Sequence, residues 1–252
     1  MTRRIDAAVP GVLLVLNDVA QGSDDEFNRW YQDEHVFDRL RVPGFRTARR
    51  YRAIDAQPAY MALYECESIE VLSSERYLER LANPTDWTRK IMPSFRNMLR
   101  SACRQTWSVG DGMGGSAIVI QCKPAPGREH AARGFVKDRL AHELMQSAST
   151  LRMALWEADA AITGGPSSEM ALRGGPDKRA DWVVFLESCD PAQSAAELQA
   201  QLPAGAADLA GLLIDSWGGY RLMCARVAAS AAYHPPIRGQ TALTSSAAPR
   251  TT

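Results

Sequence analysis

The adjacent side chains of Glu34 and His35 are the residues of this sequence best suited to acid/base chemistry. Imidazole titrates near neutral pH, so a histidine can accept and return a proton without a metal ion or an organic cofactor. His35 ends a stretch that is both aromatic and acidic, Trp30-Tyr31-Gln32-Asp33-Glu34-His35. The other three histidines lack such neighbours and are widely separated, so no metal site is predicted.

The segment that carries this pair is predicted to be a helix over residues 23–40, because Ser23 or Asp24 can cap it and acidic residues follow in its first turn. At about 100° per residue, one face of this helix is aromatic and acidic. That face contains Phe27, Trp30, Tyr31, Glu34 and Asp38, with His35 and Phe37 at its edges. We therefore expect Glu34 to point into the protein and His35 to lie where a cleft can open.

Two roles remain open for Glu34. Burying an unpaired carboxylate costs several kcal/mol or raises its pKa, so Glu34 should meet a partner. The predicted hairpin that follows offers four arginines, Arg46, Arg49, Arg50 and Arg52. Glu34 is then either a structural tether between helix and sheet or a general acid/base that works with His35.

Aromatic side chains could line a cleft for a planar, hydrophobic substrate. In the first half these are Trp30, Tyr31, Tyr64 and Trp87, although aromatic residues at such spacings are also common in cores. The sequence has no GxSxG or SxxK motif, which argues against covalent serine chemistry.

Composition restricts the class of partner. The chain has 252 residues, of which 46% are hydrophobic, and 29 basic residues balance 29 acidic ones. No overall electrostatic field therefore favours nucleic acid or an anionic membrane, and small neutral or anionic molecules are the expected partners. No apolar run approaches the roughly 18 residues of a membrane span. Five scattered cysteines without CxxC pairs favour reduced thiols and a cytoplasmic location.

The hydrophobic pattern predicts an α+β fold with the same order of elements in both halves. The first half has predicted strands at 9–17, 45–52, 59–65 and 102–109, and helices at 23–40, 69–81 and 85–99, the last interrupted near Pro93. After a glycine-rich linker at 111–115, the second half has strands at 117–122, 150–157, 182–187 and 214–227, and helices at 127–144 and 192–202. This order, βαββαβ twice, is that of two ferredoxin-like units.

Each predicted unit leaves one face of its sheet uncovered, so the two sheets should pack face to face within one chain. The predicted organisation is an N-terminal unit at 1–110, the linker at 111–115, a C-terminal unit at 116–228 and a disordered tail at 229–252. The linker opens no helix, which argues against a phosphate-binding loop.

The segment from residue 30 to residue 51 resembles a family signature. Its parts are the stretch ending in Glu34-His35, then Val42-Pro43-Gly44-Phe45, then Ala48-Arg49-Arg50-Tyr51. They are similar to the W-[YH]-x-x-E-H, VPGF and ARRY motifs of EthD-like members of the dimeric α/β-barrel superfamily. The resemblance implies a barrel of two ferredoxin-like units, with the second half replacing a partner subunit. Because the second half lacks a Glu-His pair, it also implies a single site, between the first helix and the first sheet.

That superfamily includes cofactor-independent monooxygenases, isomerases, cyclases, aldoxime dehydratases and haem-binding relatives, so the fold alone selects no reaction. If the histidine role of related isomerases and cyclases applies, His35 is catalytic, Glu34 orients it or holds an arginine, and Arg46 or Arg50 binds a substrate carboxylate. The function expected is a lyase, such as a decarboxylase, or an isomerase that acts without cofactor on a small aromatic-derived or hydrophobic carboxylic acid in a catabolic pathway.

Two alternatives are a non-catalytic protein that binds a small molecule and a haem protein with His130 or His142 as axial ligand. Whether two chains form a homodimer is left open.

Overall fold

The computed structural model describes residues 9–163, 167–203 and 205–229. It contains eight strands: β1 Gly11–Val19, β2 Phe45–Ala53, β3 Tyr60–Cys66, β4 Phe95–Gly110, β5 Ser116–Pro124, β6 Thr150–Ala158, β7 Trp182–Ser188 and β8 Leu212–Val227. All neighbouring strands are antiparallel, and they close into a barrel in the order β1-β3-β2-β8-β5-β7-β6-β4.

The helices lie in the connections between the strands. They are α1 Asp24–Trp30, α2 Val36–Leu40, α3 Glu75–Ala82, α4 Asp86–Ile91, α5 Glu129–Gly134, α6 Ala141–Leu144, α7 Ala160–Thr163, α8 Ser168–Leu172, α9 Pro191–Gln201 and α10 Ala206–Leu209. Short 3-10 segments occupy Ile69–Ser73 and Met92–Ser94, and π-helical segments occupy Tyr31–His35 and Phe135–Leu140. Within the described residues, no helix has the length and apolar character needed to cross a membrane.

The barrel consists of two ferredoxin-like sheets, which confirms the predicted fold class. The first half contributes the order β4-β1-β3-β2 and the second half the equivalent order β8-β5-β7-β6. The two sheets face each other as expected, and their edges are also joined by hydrogen-bonded pairing of β2 with β8 and of β4 with β6. The described strands therefore leave no open sheet edge, and a homodimer would have to form through other surfaces.

Alternation along the strands separates an interior core from two outer layers. In β1, Val12, Leu14 and Leu16 point into the barrel, whereas Leu13 and Val15 face the helices. The interior core combines both halves and includes Tyr51, Leu63, Val119, Trp156 and Phe185. Full burial of each such side chain is worth about 1.5–3 kcal/mol, so the interior supplies much of the attraction between the halves.

The first helix is continuous from α1 through the π-helical segment to α2, and we call this whole unit the first helix. The backbone amide of Val36 donates to the carbonyl of Tyr31, five residues earlier instead of four. The second half repeats the feature, since the amide of Ala141 donates to the carbonyl of Val136 in the unit formed by α5, its π-helical segment and α6.

One predicted boundary and one predicted loop were wrong. The helix expected at 85–99 ends at Ile91, and β4 begins at Phe95, because pairing with β1 extends the strand toward its start. The loop expected after β6 contains the short helices α7 and α8, whose packing on the first half was not apparent from local sequence.

Glycines join β4 to β5 at the mouth of the barrel. Gly110 has a φ of 75°, and a Cβ atom at Gly114 would lie 2.1 Å from the carbonyl oxygen of Ser188. These positions need glycine for conformation and for close approach of the backbone. Nearly all of the tail predicted at 229–252 lies outside the described residues.

Candidate functional site

A small cavity lies between the first helix and the helix-facing side of the first-half sheet. Its volume of about 30 Å³ can hold one or two water molecules. The second half also contributes to its wall, through Glu169 of α8 and through Arg173. The lining residues are Leu13, Val15, Trp30, Tyr31, His35, Arg39, Tyr64, Tyr77, Met92, Phe95, Met98, Arg100, Glu169 and Arg173.

His35 faces this cavity and is 7% exposed, whereas the sequence placed it at the edge of the helix. Its ring lies 4.2 Å from that of Trp30 and 5.0 Å from that of Tyr31, measured between ring centroids. No side-chain hydrogen bond joins the imidazole to another residue in the described part of the chain. Aromatic packing therefore holds the ring while its nitrogens stay available to a ligand.

The π-helical segment explains why His35 is buried. A turn closed by an i→i+5 bond contains one more residue than an α-helical turn, so the positions after Tyr31 rotate relative to a regular helix. The rotation brings His35 onto the face that the pattern assigned to Glu34. Such segments are frequently found at functional sites.

Glu34 is half-buried and faces away from the cavity, which corrects the prediction that it points into the protein. The hydroxyl of Thr85 donates to Glu34 Oε1 at 2.6 Å, and that of Thr88 donates at 3.3 Å. Thr85 also caps α4 by accepting from the amide of Thr88. Glu34 thus binds the start of α4, and neither the expected arginine tether nor a direct contact with His35 is present.

The expected arginine partners of Glu34 have other neighbours. Arg46 is exposed and lies 3.9 Å from Glu67, outside the cavity. Arg49 points into the barrel and pairs with Glu187, and Arg52 pairs with Asp24 at the surface.

Arg50 is buried beside the cavity but does not line it. Its guanidinium donates to Asn28 Oδ1 at 2.8 Å and lies 4.3 Å from the ring centroid of Tyr31. Arg50 therefore packs against the Tyr31 ring and does not line the cavity. Neither Arg50 nor Arg46 lines the cavity, where a residue that binds a substrate carboxylate was expected.

Three arginines that the sequence analysis missed supply the positive charge of the cavity. Arg39 is 2% exposed and pairs with Glu169 and, at 3.2 Å, with Asp38. Arg173 binds Asp177 through two hydrogen bonds, of 3.1 and 2.6 Å.

Arg100 differs from these two arginines. It donates to the hydroxyl of Tyr77 at 3.1 Å and to the carbonyl of Thr163 at 3.5 Å. No carboxylate of the described residues forms an ion pair with it. A phenol and a carbonyl hold its guanidinium at hydrogen-bond distance, and the carboxylate of Glu169 acts on it only from farther away. Arg100 can therefore form a direct ion pair with an anionic ligand.

The surroundings keep the imidazole of His35 neutral. Burial lowers the pKa of His35 well below its ordinary value, and the positive charges of Arg39, Arg50 and Arg173 lower it further. Burial raises the pKa of the Tyr31 hydroxyl and, more strongly, that of the Tyr64 hydroxyl. At neutral pH the site therefore combines a neutral base, protonated phenols and guanidinium groups.

The remaining predicted aromatic residues divide into two groups. Tyr31 and Tyr64 line the cavity, as does Trp30, whose indole NH also donates to the Thr88 hydroxyl at 3.1 Å. Trp87 is half-buried against the outer core and is not a lining residue.

Sequence signals for the missed arginines were present but weak. Arg39 follows His35 by four residues, so the two share a helix face. Arg100 lies between Met98 and Ala102 on the helix-facing side of β4, where an apolar residue would be usual. Glu169 and Arg173 come from a long loop of the other half, and no local pattern places that loop here.

A larger cavity of about 450 Å³ adjoins the first one, and Arg100 lines both. It lies between the first-half segment Leu72–Leu81 and the loop that contains α7 and α8. The lining residues are Leu72, Leu78, Leu81, Arg100, Ile162, Thr163, Ser167, Met170, Pro176, Asp177, Lys178 and Arg179.

The haem alternative does not fit the residues named for it. His130 and His142 are both exposed on the helix of the second half, so neither faces a cavity. The His35 cavity is about a tenth of the volume of ordinary ligand pockets, which begin near 300 Å³. No three His, Cys, Asp or Glu side chains of the described ranges are grouped as a metal site either.

No protein-family model and no curated protein matches the chain. Solved structures nevertheless show the same fold. An anthrone oxidase-like protein matches with a TM-score of 0.61 at 9% identity, covering 89% of this chain and 95% of its own. A chlorite dismutase mutant from Candidatus Nitrospira defluvii has a TM-score of 0.52 at 10% identity, covering 84% and 91%. A candidate monooxygenase from Fusobacterium nucleatum has a TM-score of 0.50 at 10% identity, covering 88% and 94%.

These similarities show that the chain has the dimeric α/β-barrel fold, with both ferredoxin-like units in one polypeptide. At such identities they show the fold alone, so the narrower EthD-like resemblance stays a prediction.

Proposed function

We propose that this protein is an enzyme that uses acid/base chemistry on a small aromatic-derived or hydrophobic carboxylic acid, as an isomerase or a lyase. The observation that carries the proposal is a buried, neutral imidazole facing a cavity whose other polar walls are mainly guanidinium and phenol groups. His35 is the proposed catalytic base. Trp30 and Tyr31 position its ring, and Arg100 is the proposed partner of the substrate anion.

The proposed step is removal of a proton from a carbon next to a carbonyl group. The imidazole accepts the proton, and the electron pair of the broken C–H bond moves to the carbonyl oxygen as an enolate. Guanidinium groups and phenolic donors stabilise that negative charge, which is where preorganised donors contribute most. The imidazolium then returns the proton to a second carbon in an isomerisation. In an elimination the enolate re-forms the carbonyl and a carbon–carbon double bond as the bond to the leaving group breaks, and the imidazolium protonates the departing group.

The neutral state of His35 favours some reactions of the proposed class over others. Proton abstraction needs an unprotonated base, which the lowered pKa of His35 provides at neutral pH. Decarboxylation instead needs a proton donor for the carbanion that remains. We therefore place isomerisation and elimination ahead of decarboxylation within the proposed class.

The substrate must extend beyond the described small cavity. A volume of about 30 Å³ accommodates the reacting group at most, whereas the adjoining cavity of about 450 Å³ falls within the usual range of ligand sites. The proposed catabolic role in the cytoplasm follows from the sequence resemblance and composition and needs a substrate to test it.

The experiment is exchange of substrate C–H protons with deuterium oxide, followed by NMR for a panel of aromatic and aliphatic carboxylic acids. For an acid that exchanges, His35→Gln should lower the rate by about two to four powers of ten, the range for loss of a general base. His130→Gln is the matched control, because His130 is exposed on the other half and should leave the rate unchanged. Unaltered exchange in His35→Gln would refute the assignment.

Two rival functions have separate outcomes in the same experiment. A non-catalytic binding protein, which the volume of the larger cavity favours, would bind an acid without exchange and would not respond to His35→Gln. An oxygenase, the activity suggested by the description of one structural neighbour, would consume dissolved oxygen during turnover. The proposed isomerase or lyase should consume none.

A further inference from the structure

We propose that the larger cavity binds the apolar body of an amphipathic carboxylate, with Arg100 holding its acidic group at the passage toward His35. The inference concerns binding, and it rests on the proposed function only in directing the acidic end toward His35. It assigns ligand selection to the described residues 160–163 and 167–181 of the loop in the second half.

Half of the twelve residues that line the larger cavity are apolar. Leu72, Leu78 and Leu81 come from the first half, and Ile162 and Met170 come from α7 and α8 of the second half. Leu78 is 51% exposed, which is unusual for a leucine and leaves apolar surface uncovered at the opening. A hydrophobic ligand would cover this surface.

The charged groups of the same cavity favour an anion. Arg100, Lys178 and Arg179 are basic, whereas Asp177 is acidic and already binds Arg173. Arg179 has Asp181 at 3.8 Å, but in the described ranges neither Arg100 nor Lys178 has an ion-pair partner. One carboxylate on a ligand would give Arg100 the direct ion pair that it lacks, next to an apolar body.

The backbone holds these basic residues in place. The amide of Lys178 donates to the carbonyl of Met98 at 2.9 Å, and the amide of Arg100 donates to the carbonyl of Lys178 at 2.9 Å. The second-half loop therefore adds a short parallel pairing beside β4. This pairing fixes the backbone of Lys178 beside that of Arg100, so the position of the loop at this end of the cavity is set by β4.

Residues of the second-half loop separate the two cavities, and contacting or adjacent residues of that loop line different cavities. Arg173 lines the small cavity, and its partner Asp177 lines the large one. Glu169 and Met170, neighbours on α8, likewise face different cavities. A ligand that enters between α3 and α8 thus meets Arg100 before it reaches His35.

The test is fluorescence titration of the full chain with 8-anilinonaphthalene-1-sulfonate, a probe with an apolar body and one negative charge. Competition by 1-naphthaleneacetate is compared with competition by its neutral amide, 1-naphthaleneacetamide. We expect the acid to displace the probe at a concentration at least tenfold lower than the amide. Equal competition by acid and amide, or none by the acid, would overturn the assignment.

Leu78→Asp places a negative charge at the opening and should weaken binding of the acid at least tenfold. Leu209→Asp is the matched control, since Leu209 is 82% exposed on α10 of the other half. Arg100→Met should weaken the acid and leave the amide unchanged, and Leu78→Asp keeps the test valid if the arginine variant does not fold. Equal binding by Leu78→Asp and Leu209→Asp would refute the location.

Failure of this inference can be separated from failure of the proposed function. If the acid binds as predicted but proton exchange does not depend on His35, only the catalytic proposal is wrong. If exchange depends on His35 while Leu78→Asp leaves both binding and exchange unaltered, only the proposed binding site is wrong.

Discussion

Glu187→Gln should strongly destabilise the barrel, because it removes the charge that compensates a buried arginine. Arg49 from β2 and Glu187 from β7 form an ion pair inside the barrel, with their side chains 1% and 0% exposed. The pair joins the two halves of the chain. The amide of Gly114 also donates to Glu187, at 3.2 Å, so the carboxylate fixes the linker as well.

The magnitude follows from the partners that remain. Breaking a buried ion pair by removing one partner costs about 3–5 kcal/mol. Glu65 still lies 3.3 Å from Arg49 Nη2 in the variant, so we expect the lower end, about 3 kcal/mol. For a chain of this size each kcal/mol lowers Tm by about 2–4 °C, which gives a decrease of about 6–12 °C.

The assay is thermal and urea unfolding of four proteins: wild type, Glu187→Gln, Arg49→Met and the double variant Arg49→Met/Glu187→Gln. The double variant leaves no uncompensated partner of this pair, so it should lose less stability than the sum of the two single losses. Glu67→Gln is the control, since its pair with Arg46 is about 60% exposed on both sides and such pairs contribute about 0–1 kcal/mol. If Glu187→Gln costs no more than Glu67→Gln, the proposed role of the interior pair is refuted.

Three further outcomes are expected. Glu34→Gln should leave proton exchange unchanged and cost at most about 1 kcal/mol in thermal unfolding, because Glu34 accepts from threonine hydroxyls outside the cavity; a 100-fold loss of exchange would contradict this. The isolated fragment 1–110 should aggregate or self-associate in size-exclusion chromatography, because β2 and β4 lose their partner strands; a well-dispersed monomer would contradict the barrel. The pH profile of kcat/KM should fall only on the acid side, at a pH well below 6.5, where His35 of the folded protein becomes protonated. Stability should begin to fall at a higher pH, as the pH drops through about 6.5, because the unfolded chain binds that proton first.

The fold was largely predictable because its signals are local. Buried apolar strands, the Pro43-Gly44 stop and the glycine-rich linker mark out the elements, and two βαββαβ orders define two sheets with uncovered faces. The start of β4 was not predictable in this way. Residues 95–101 become a strand because β1 pairs with them, which is a property of the assembled sheet.

The site was only partly predictable because a single turn of the first helix departs from regular geometry. A projection at 100° per residue places Glu34 inside and His35 at the edge, and the π-helical segment reverses that order. Tyr31 and Tyr64 both line the cavity, Tyr31 from a helix face that points inward under either projection and Tyr64 from β3, and their binding of a substrate stays a prediction. Arg39, Arg100 and Arg173 were not predicted, because the sequence around a charged residue does not show which distant residue it contacts in the fold.

The two halves have the same order of strands and helices, but only the first has the polar cavity. This asymmetry comes from the connections between strands. Both halves have a π-helical segment, yet in the second it carries Phe135, Val136 and Leu140 into an apolar core. The β2 to β3 connection spans residues 54–59, whereas the β6 to β7 connection spans 159–181 and brings Glu169 and Arg173 to the first half. In a symmetric homodimer every contact of this kind would occur twice, because each subunit presents the same loop to its partner. Fusion of the units in one chain removes that constraint, so one half can present a polar cavity while the other supplies the loop that covers it.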